Sequence, residues 1–419
     1  MKKLMAAALT ATALTAMPVL ADKAAVLDTY ADIAQAGYAD SLATAKVLQA
    51  AIKDFVANPS AETQQAAKDA WLAARVPYQQ TEVYRFGNAM VDDWEGKVNA
   101  WPLDEGLLDY VDAAYGGPTD ENPLAALNLV ANPMFEISGK KIDATTITAD
   151  LLENTLHEAA DNEANVATGY HAIEFLLWGQ DAHGYDHGAG ERSWTDYAAG
   201  DACTNGNCDR RGQLLNVLAD LLVSDLEWMT AQWADGGAAR EAVTKDETAG
   251  LTAMLTGMGS LSYGETGGER MKLGLMLNDP EEEHDCFSDN THNSHFYDGI
   301  GIRNVYVGEY TRVDGTTVSG PSLASLVAKA DAAVDAELQA KLDASLIALG
   351  KIKTAAEAGF SYDSMLAPNS EAGAALIDGG VNALVSQTRS IERATAALGL
   401  KPLEVEGSDS LDNPKAVFE

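Results

Sequence analysis

A histidine and a glutamate stand three residues apart in Gly169-Tyr-His-Ala-Ile-Glu-Phe-Leu-Leu-Trp-Gly179, an apolar run with no helix breaker inside it. On a helix, positions i and i+3 share a face, so His171 and Glu174 point the same way. Two titratable groups set against apolar neighbours are costly unless something pairs them. A cation is one such partner, and imidazole with carboxylate suits iron, or alternatively zinc. A hydrogen-bonded core histidine is the plainer reading. The carboxylate at i+3 and the flanking Gly169 and Gly179 favour the metal.

The other histidines keep to the same stretch of chain. All seven fall between His157 and His295, and the ends of the sequence have none. Glu281-Glu-Glu-His-Asp-Cys-Phe-Ser-Asp-Asn-Thr-His292 crowds carboxylates, two imidazoles and a thiol together. Like charges at that density repel unless a cation or solvent intervenes. A solvated acidic loop is the plain alternative, but Cys286 and Phe287 give the segment an apolar anchor. The expectation is that it folds back and adds Asp289 or His292 to the His171/Glu174 site. Failing that, Glu82 or Glu105 would complete an additional or alternative ligand set. His157-Glu158-Ala-Ala-Asp161 has the outline of a zinc-protease helix, but Asp161 replaces the second histidine, and it reads as a polar helix end. His183 and His187 lie in a glycine-rich loop and are expected to be exposed. The sequence holds no nucleophile elbow, phosphate loop, dinucleotide fingerprint or haem-attachment motif.

The elements that must position these residues read as helices. Val26, Tyr30, Ile33, Leu42, Ala45, Leu48, Ile52 and Phe55 recur at helical steps over residues 24–57. Asn58-Pro59-Ser60 breaks that helix, and Ser60 caps the next one, which carries Trp71, Arg75, Tyr78, Glu82 and Arg85. Pro77 should kink or end it. Residues 91–145 are rich in turns. Helices follow near 146–159, 166–178, 210–235, 244–258 and 262–277, with a glycine-rich loop over 179–208. The segment 279–300 reads as irregular. Two long helices close the chain, over 321–359 and 371–398. Strand signals are confined to Val305–Val307 and Thr316–Val318, and the acidic tail after Pro402 reads as loose.

Met1-Lys2-Lys3 followed by an apolar core and Val19-Leu20-Ala21 is a secretory signal, with cleavage after Ala21. Asp22 follows, so no cysteine is placed there to receive a lipid. No later stretch has the ~18 uncharged residues of a membrane helix. A soluble periplasmic protein without a transmembrane segment is expected. The formal charge of −35 makes nucleic acid and anionic membrane poor partners. It reflects either solvation in a salty habitat or attraction of cations. In an oxidising compartment Cys203 and Cys208, which bracket Thr-Asn-Gly-Asn, are expected to pair as a disulfide. Cys286 is left over.

Gly169-Tyr-His-Ala-Ile-Glu174 resembles the Gly-x-His-x-x-Glu signature of the imelysin-like family, the iron-regulated protein A-like group. Ala70–Gly87, Trp101–Gly106, Gly257–Gly264, Gly268–Met271 and Glu283–His292 are similar to further family blocks, in order along the chain. The resemblance implies an all-α fold: two helical bundles joined in one elongated, pseudo-duplicated unit, with the motif near their junction. The expected layout is a signal peptide over 1–21, an N-terminal bundle over 22–200, a C-terminal bundle over 201–400 and a tail over 401–419. The resemblance also implies an iron-regulated periplasmic protein, or one associated with the outer membrane. Its partners would be a metal ion and envelope iron-uptake components, and His171 and Glu174 would be metal ligands. The function expected is iron binding in uptake or homeostasis. The alternatives are a metallopeptidase, which needs more zinc ligands than one His-x-x-Glu pair supplies, and a helical docking protein with no metal.

Overall fold

Asp22 accepts a hydrogen bond from the amide of Ala24 and so caps a 35-residue helix, α1 (Lys23–Ala57). It belongs to a computed structural model that describes residues 22–120 and 122–418. The signal read over residues 1–21 lies outside the described residues. Ser60 and Thr63 form a reciprocal capping box at the start of α2 (Ala61–Gln79). Pro77 falls in the last turn, and the chain leaves α2 through a 3-10 turn at Glu82–Tyr84. α3 (Ala89–Asn99) and the short α4 (Glu105–Leu108) follow. A two-stranded hairpin comes next, β1 (Met134–Ile137) against β2 (Lys140–Asp143). α5 (Ala149–Leu151) runs into a wide π turn, and α6 (Gly169–Trp178) carries the His-x-x-Glu motif.

α7 (Cys208–Trp233) runs along α1 and α6, so the start of the stretch assigned to a second bundle shares the larger core. α8 (Ala238–Thr244) and α9 (Glu247–Ser260) follow, and α9 continues through a π-helical stretch at Leu261–Leu273 into α10 (Gly274–Leu277). α11 (Thr291–Val307) is a helix where the sequence suggests irregular chain and then a strand. Its polar residues, with Gly299 and Gly301, have low helix propensity, which packing overrides. A Cβ on Gly301 would lie 2.5 Å from the carbonyl oxygen of Gln80, so this glycine allows α11 to pack on the end of α2. Val305 belongs to the helix and faces the core. The strand expected at Thr316–Val318 is present, shifted by one residue, as β4 (Thr317–Ser319) paired with β3 (Glu309–Thr311).

The closing helical region divides at Asp331, which caps α13 (Ala332–Glu357) just after α12 (Leu323–Ala330). α14 (Tyr362–Leu366) and α15 (Glu371–Ala397) complete it. The tail is not loose. The amide of Glu406 donates to Ser260 Oγ, Ser410 Oγ donates to the Gly268 carbonyl, and Tyr263 donates to Asp412. The Ser260 hydroxyl, the Gly268 carbonyl and the Tyr263 hydroxyl give the tail partners that its composition did not suggest. It ends in α16 (Asp409–Asp412).

Among the described residues the protein is all-α apart from two hairpins. One core joins α1, α2, α6, α7, α9 and α11. A smaller one joins Met271 to Leu349, Ile352, Met365, Ile377 and Leu384 of α13, α14 and α15. Cys203 and Cys208 are bonded, with Cα atoms 6.0 Å apart, and Cys286 is a buried free thiol. No described helix is long and apolar enough to cross a membrane.

Candidate functional site

Every residue of α6 is buried, which is why the motif lies in an apolar run with no polar face. The entry to the helix is fixed by Gly169. Its φ is +83°, and an added Cβ would lie 2.5 Å from the Val98 carbonyl oxygen. Trp71 Nε1 donates to the Tyr170 carbonyl at 3.0 Å and locks α2 onto α6.

Glu174 and His171 face each other as the i, i+3 spacing predicts, with Nδ1 3.0 Å from Oε2. The other oxygen of Glu174 accepts from the amide and hydroxyl of Ser288, at 3.0 and 2.6 Å. Thus the 281–292 segment does return to α6. The residues it brings beside His171 are His284 and Asp285, not the expected Asp289 and His292. Asp285 Oδ1 lies 3.9 Å from His171 Nδ1, and the rings of His171 and His284 are 4.8 Å apart, edge to face. Trp101 and Phe287 pack around this pair.

A buried arginine balances the charge. Arg75 Nη2 donates to Asp285 Oδ1 at 2.7 Å and Nη1 to Asn99 Oδ1 at 2.6 Å. The guanidinium also lies over the rings of Trp71, Tyr78 and Tyr170. Asn290 and Ser294 donate to the other oxygen of Asp285. Burial alone would raise the Asp285 carboxyl, but Arg75 and these donors hold it below the usual carboxylate range. Burial, then the charge of Asp285, pushes Glu174 well above its ordinary value. Burial and Arg75 push His171 well below its ordinary value. Burial and Arg270 do the same to His284.

Both imidazoles are therefore neutral at pH 7, the form whose lone pair binds a metal. The tautomer of His171 that donates Nδ1–H to Glu174 would carry its lone pair on Nε2. That nitrogen is buried with no hydrogen-bond partner. His171, His284 and Asp285 each offer an atom within 4.8 Å of the others, and two neutral imidazoles with an ionised carboxylate fit a metal donor set. In such a set Glu174 would hold the tautomer and orientation of His171. His284 opens onto a cleft of about 570 Å³ whose walls carry Glu95, Glu158, Glu163, Glu265, Glu269 and Glu282 against Arg85 and Arg270.

The remaining expected ligands lie elsewhere. Asp289 groups with Asp181 and Asp363. His292 Nε2 faces the Asn293 amide, 3.0 Å away. Glu82 pairs with Arg270 at 2.7 Å, in a buried network with Asp298 and Glu265. Of the loop histidines, His187 is exposed and His183 is partly covered by its contact with Asp181. Glu105 accepts from Gln180 at 2.7 Å, and burial, Glu281 and Asp104 push it up to about 8. Its raised pKa has a testable sign. A carboxyl raised in the folded state contributes fully below about pH 4.5, and its contribution is lost as pH rises toward 8. Glu105→Gln should therefore match wild type near pH 4.5 and exceed it at pH 8, by on the order of 4 kcal/mol at about 1.36 kcal/mol per unit. Urea unfolding at both pH values checks this, and an equal difference at both would contradict it.

His284, Asp285 and Arg75 were the residues that spacing alone did not select. A signal for Arg75 was present, since Trp71, Arg75 and Tyr78 share one face of α2 at i, i+4 and i+7. An arginine on an aromatic face calls for a buried anion.

The imelysin family model matches residues 34–391. Iron-regulated protein A of Synechococcus elongatus is 34% identical over 67 residues, which are 16% of this chain and 19% of that protein. The match thus spans about a fifth of that relative's length. Among solved structures, one described as an iron-regulated protein A precursor, from Parabacteroides distasonis, superposes with a TM-score of 0.63 at 17% identity. It covers 92% of this chain and 97% of its own. An imelysin-like protein from Psychrobacter arcticum has a TM-score of 0.56 at 16% identity, over 90% and 97% of the two chains. At these identities the solved structures establish the fold alone.

Proposed function

The chain belongs to the imelysin family, and on that premise we propose that it is a periplasmic iron-binding protein that takes part in iron uptake or homeostasis. The metal is held by the imidazoles of His171 and His284, with Asp285 beside them. The observation that carries this reading is the buried, unpartnered Nε2 of His171, aimed by the bond from Nδ1 to Glu174. Leaving such a nitrogen unpaired costs about 1–3 kcal/mol, so a purely structural role leaves an unexplained expense. The name of the Synechococcus relative supplies the link to iron. The glutamate-lined cleft at His284 supplies a route on which cations concentrate.

A metallopeptidase is the alternative reading. It requires an open water position on the metal and a carboxylate free to act as base. Here the oxygens of Glu174 are engaged by His171 and Ser288. Those of Asp285 are engaged by Arg75, Asn290 and Ser294. That occupancy favours binding over hydrolysis.

The test is titration of chelator-stripped protein with Fe²⁺ under anaerobic conditions and, separately, with Zn²⁺. Wild type should bind one ion at this site. His171→Ala and His284→Ala should each weaken binding at least tenfold while circular dichroism keeps its helical signal. Equal affinity in wild type and both variants would overturn the reading.

A further inference from the structure

We propose that Asp181, Asp289 and Asp363, backed by Glu283, form a second cation site that takes a hard, oxygen-preferring divalent ion of the calcium class. The three aspartates each place a carboxylate oxygen within 4.8 Å of the others. They come from distant parts of the chain. Asp181 lies in the loop after α6, Asp289 at a left-handed turn (φ +57°) before α11, and Asp363 in α14.

Crowded acids are common on surfaces, but this group is not a surface feature. Asp363 and Glu283 have no solvent exposure, and both oxygens of each are buried without a hydrogen-bond partner. Oδ1 of Asp289 is buried and unpartnered as well. Among the described residues no lysine or arginine makes an ion pair with any of the four. The basic contacts among the described residues come from the loop side, His183 to Asp181 at 2.8 Å and His187 to Asp289 at 3.4 Å. The His183 and Gly188 amides also donate to Asp181 and Asp289, which fixes their carboxylates in place.

Buried carboxylates that face one another are held by a cation or stay protonated. Burial, then the facing Asp289, pushes the Asp363 carboxyl up to about 8 against the opposing effect of Glu283. An all-carboxylate donor set selects a hard ion over a thiol- or imidazole-preferring one. Bound there, the ion would tie the 181–188 loop and α14 to the segment that carries His284 and Asp285. This site does not depend on the metal proposed at His171.

The experiment is calcium binding to the chelator-stripped full-length protein, read by calorimetry and by the calcium-dependent rise in Tm. Wild type should bind Ca²⁺, and His171→Ala should bind it with unchanged affinity. Asp363→Asn and Asp289→Asn should each weaken binding at least tenfold. Asp363→Asn should also abolish the rise in Tm with calcium. Wild-type protein that binds neither Ca²⁺ nor Mg²⁺ would overturn the proposal and leave a protonated carboxyl cluster as the explanation. So would calcium binding that both variants retain in full.

Discussion

Arg75→Ala is expected to destabilise the protein by about 3–5 kcal/mol, the cost of breaking a buried ion pair from one side. Both partners are inaccessible to solvent, with side-chain exposures of 2% for Arg75 and 0% for Asp285. Removing the guanidinium strands Asp285, frees Asn99 Oδ1, and removes the cation from over three aromatic rings. Lysine is not an adequate substitute, because a point charge does not reach Asp285 and Asn99 together as the planar fork does. The loss should shrink in the double variant Arg75→Met/Asp285→Asn, where neither charge remains. Urea unfolding of wild type, Arg75→Met, Asp285→Asn and the double variant provides the double-mutant cycle. A loss below about 1 kcal/mol for Arg75→Ala would mean that the buried charge is balanced in some other way.

Gly169→Ala is expected to cost a comparable amount, on the order of 3 kcal/mol or more, from backbone strain and overpacking combined. The atoms in its way are backbone, with Val98 O, C and Cα at 2.5, 2.6 and 2.9 Å from the added carbon. No side-chain rotation relieves that contact, so α6 must move and carry His171 with it. Gly116→Ala is the control. Gly116 also has positive φ, +106°, but nothing lies within 4 Å of its added Cβ. Thermal unfolding should show a much larger drop in Tm for Gly169→Ala. Equal drops would show that the close approach to Val98 carries no energetic weight.

The readability of this protein in its sequence follows from where each constraint lies. α1, α2 and α6 declare themselves through local patterns: helical spacing of apolar residues, a Ser60 cap, and an apolar run closed by glycine. The disulfided turn at Cys203 and Cys208 is equally local. α11 is less legible because its polar residues and Gly299 and Gly301 have low helix propensity, and contacts with α2 and α13 override that preference. The tail is obscured for the same reason, since its partners, the Ser260 hydroxyl and the Gly268 carbonyl, stand more than 140 residues away.

At the site, His171 and Glu174 share a helix face, and their contact follows from spacing. The choice among the acids and imidazoles of 281–292 does not. Asp285 is selected by Arg75, which stands 210 positions earlier in the chain. The turn at Asp289 then sends that carboxylate to Asp181 and Asp363 instead. Spacing on an irregular segment carries no facing rule comparable with that of a helix. Segment 281–292 therefore serves two clusters of different chemistry. One is rich in imidazole and balanced by arginine, and the other is made only of carboxylates.

The claim that a metal sits on the His171 and His284 imidazoles is tested most directly by X-ray diffraction from crystals of the protein loaded with iron, recorded across the iron absorption edge. The account predicts an anomalous peak within a metal–imidazole bond, about 2 Å, of His171 Nε2, and loss of that peak in His171→Ala. Iron-loaded crystals with no peak at His171, or with a peak only among Asp181, Asp289 and Asp363, would contradict it.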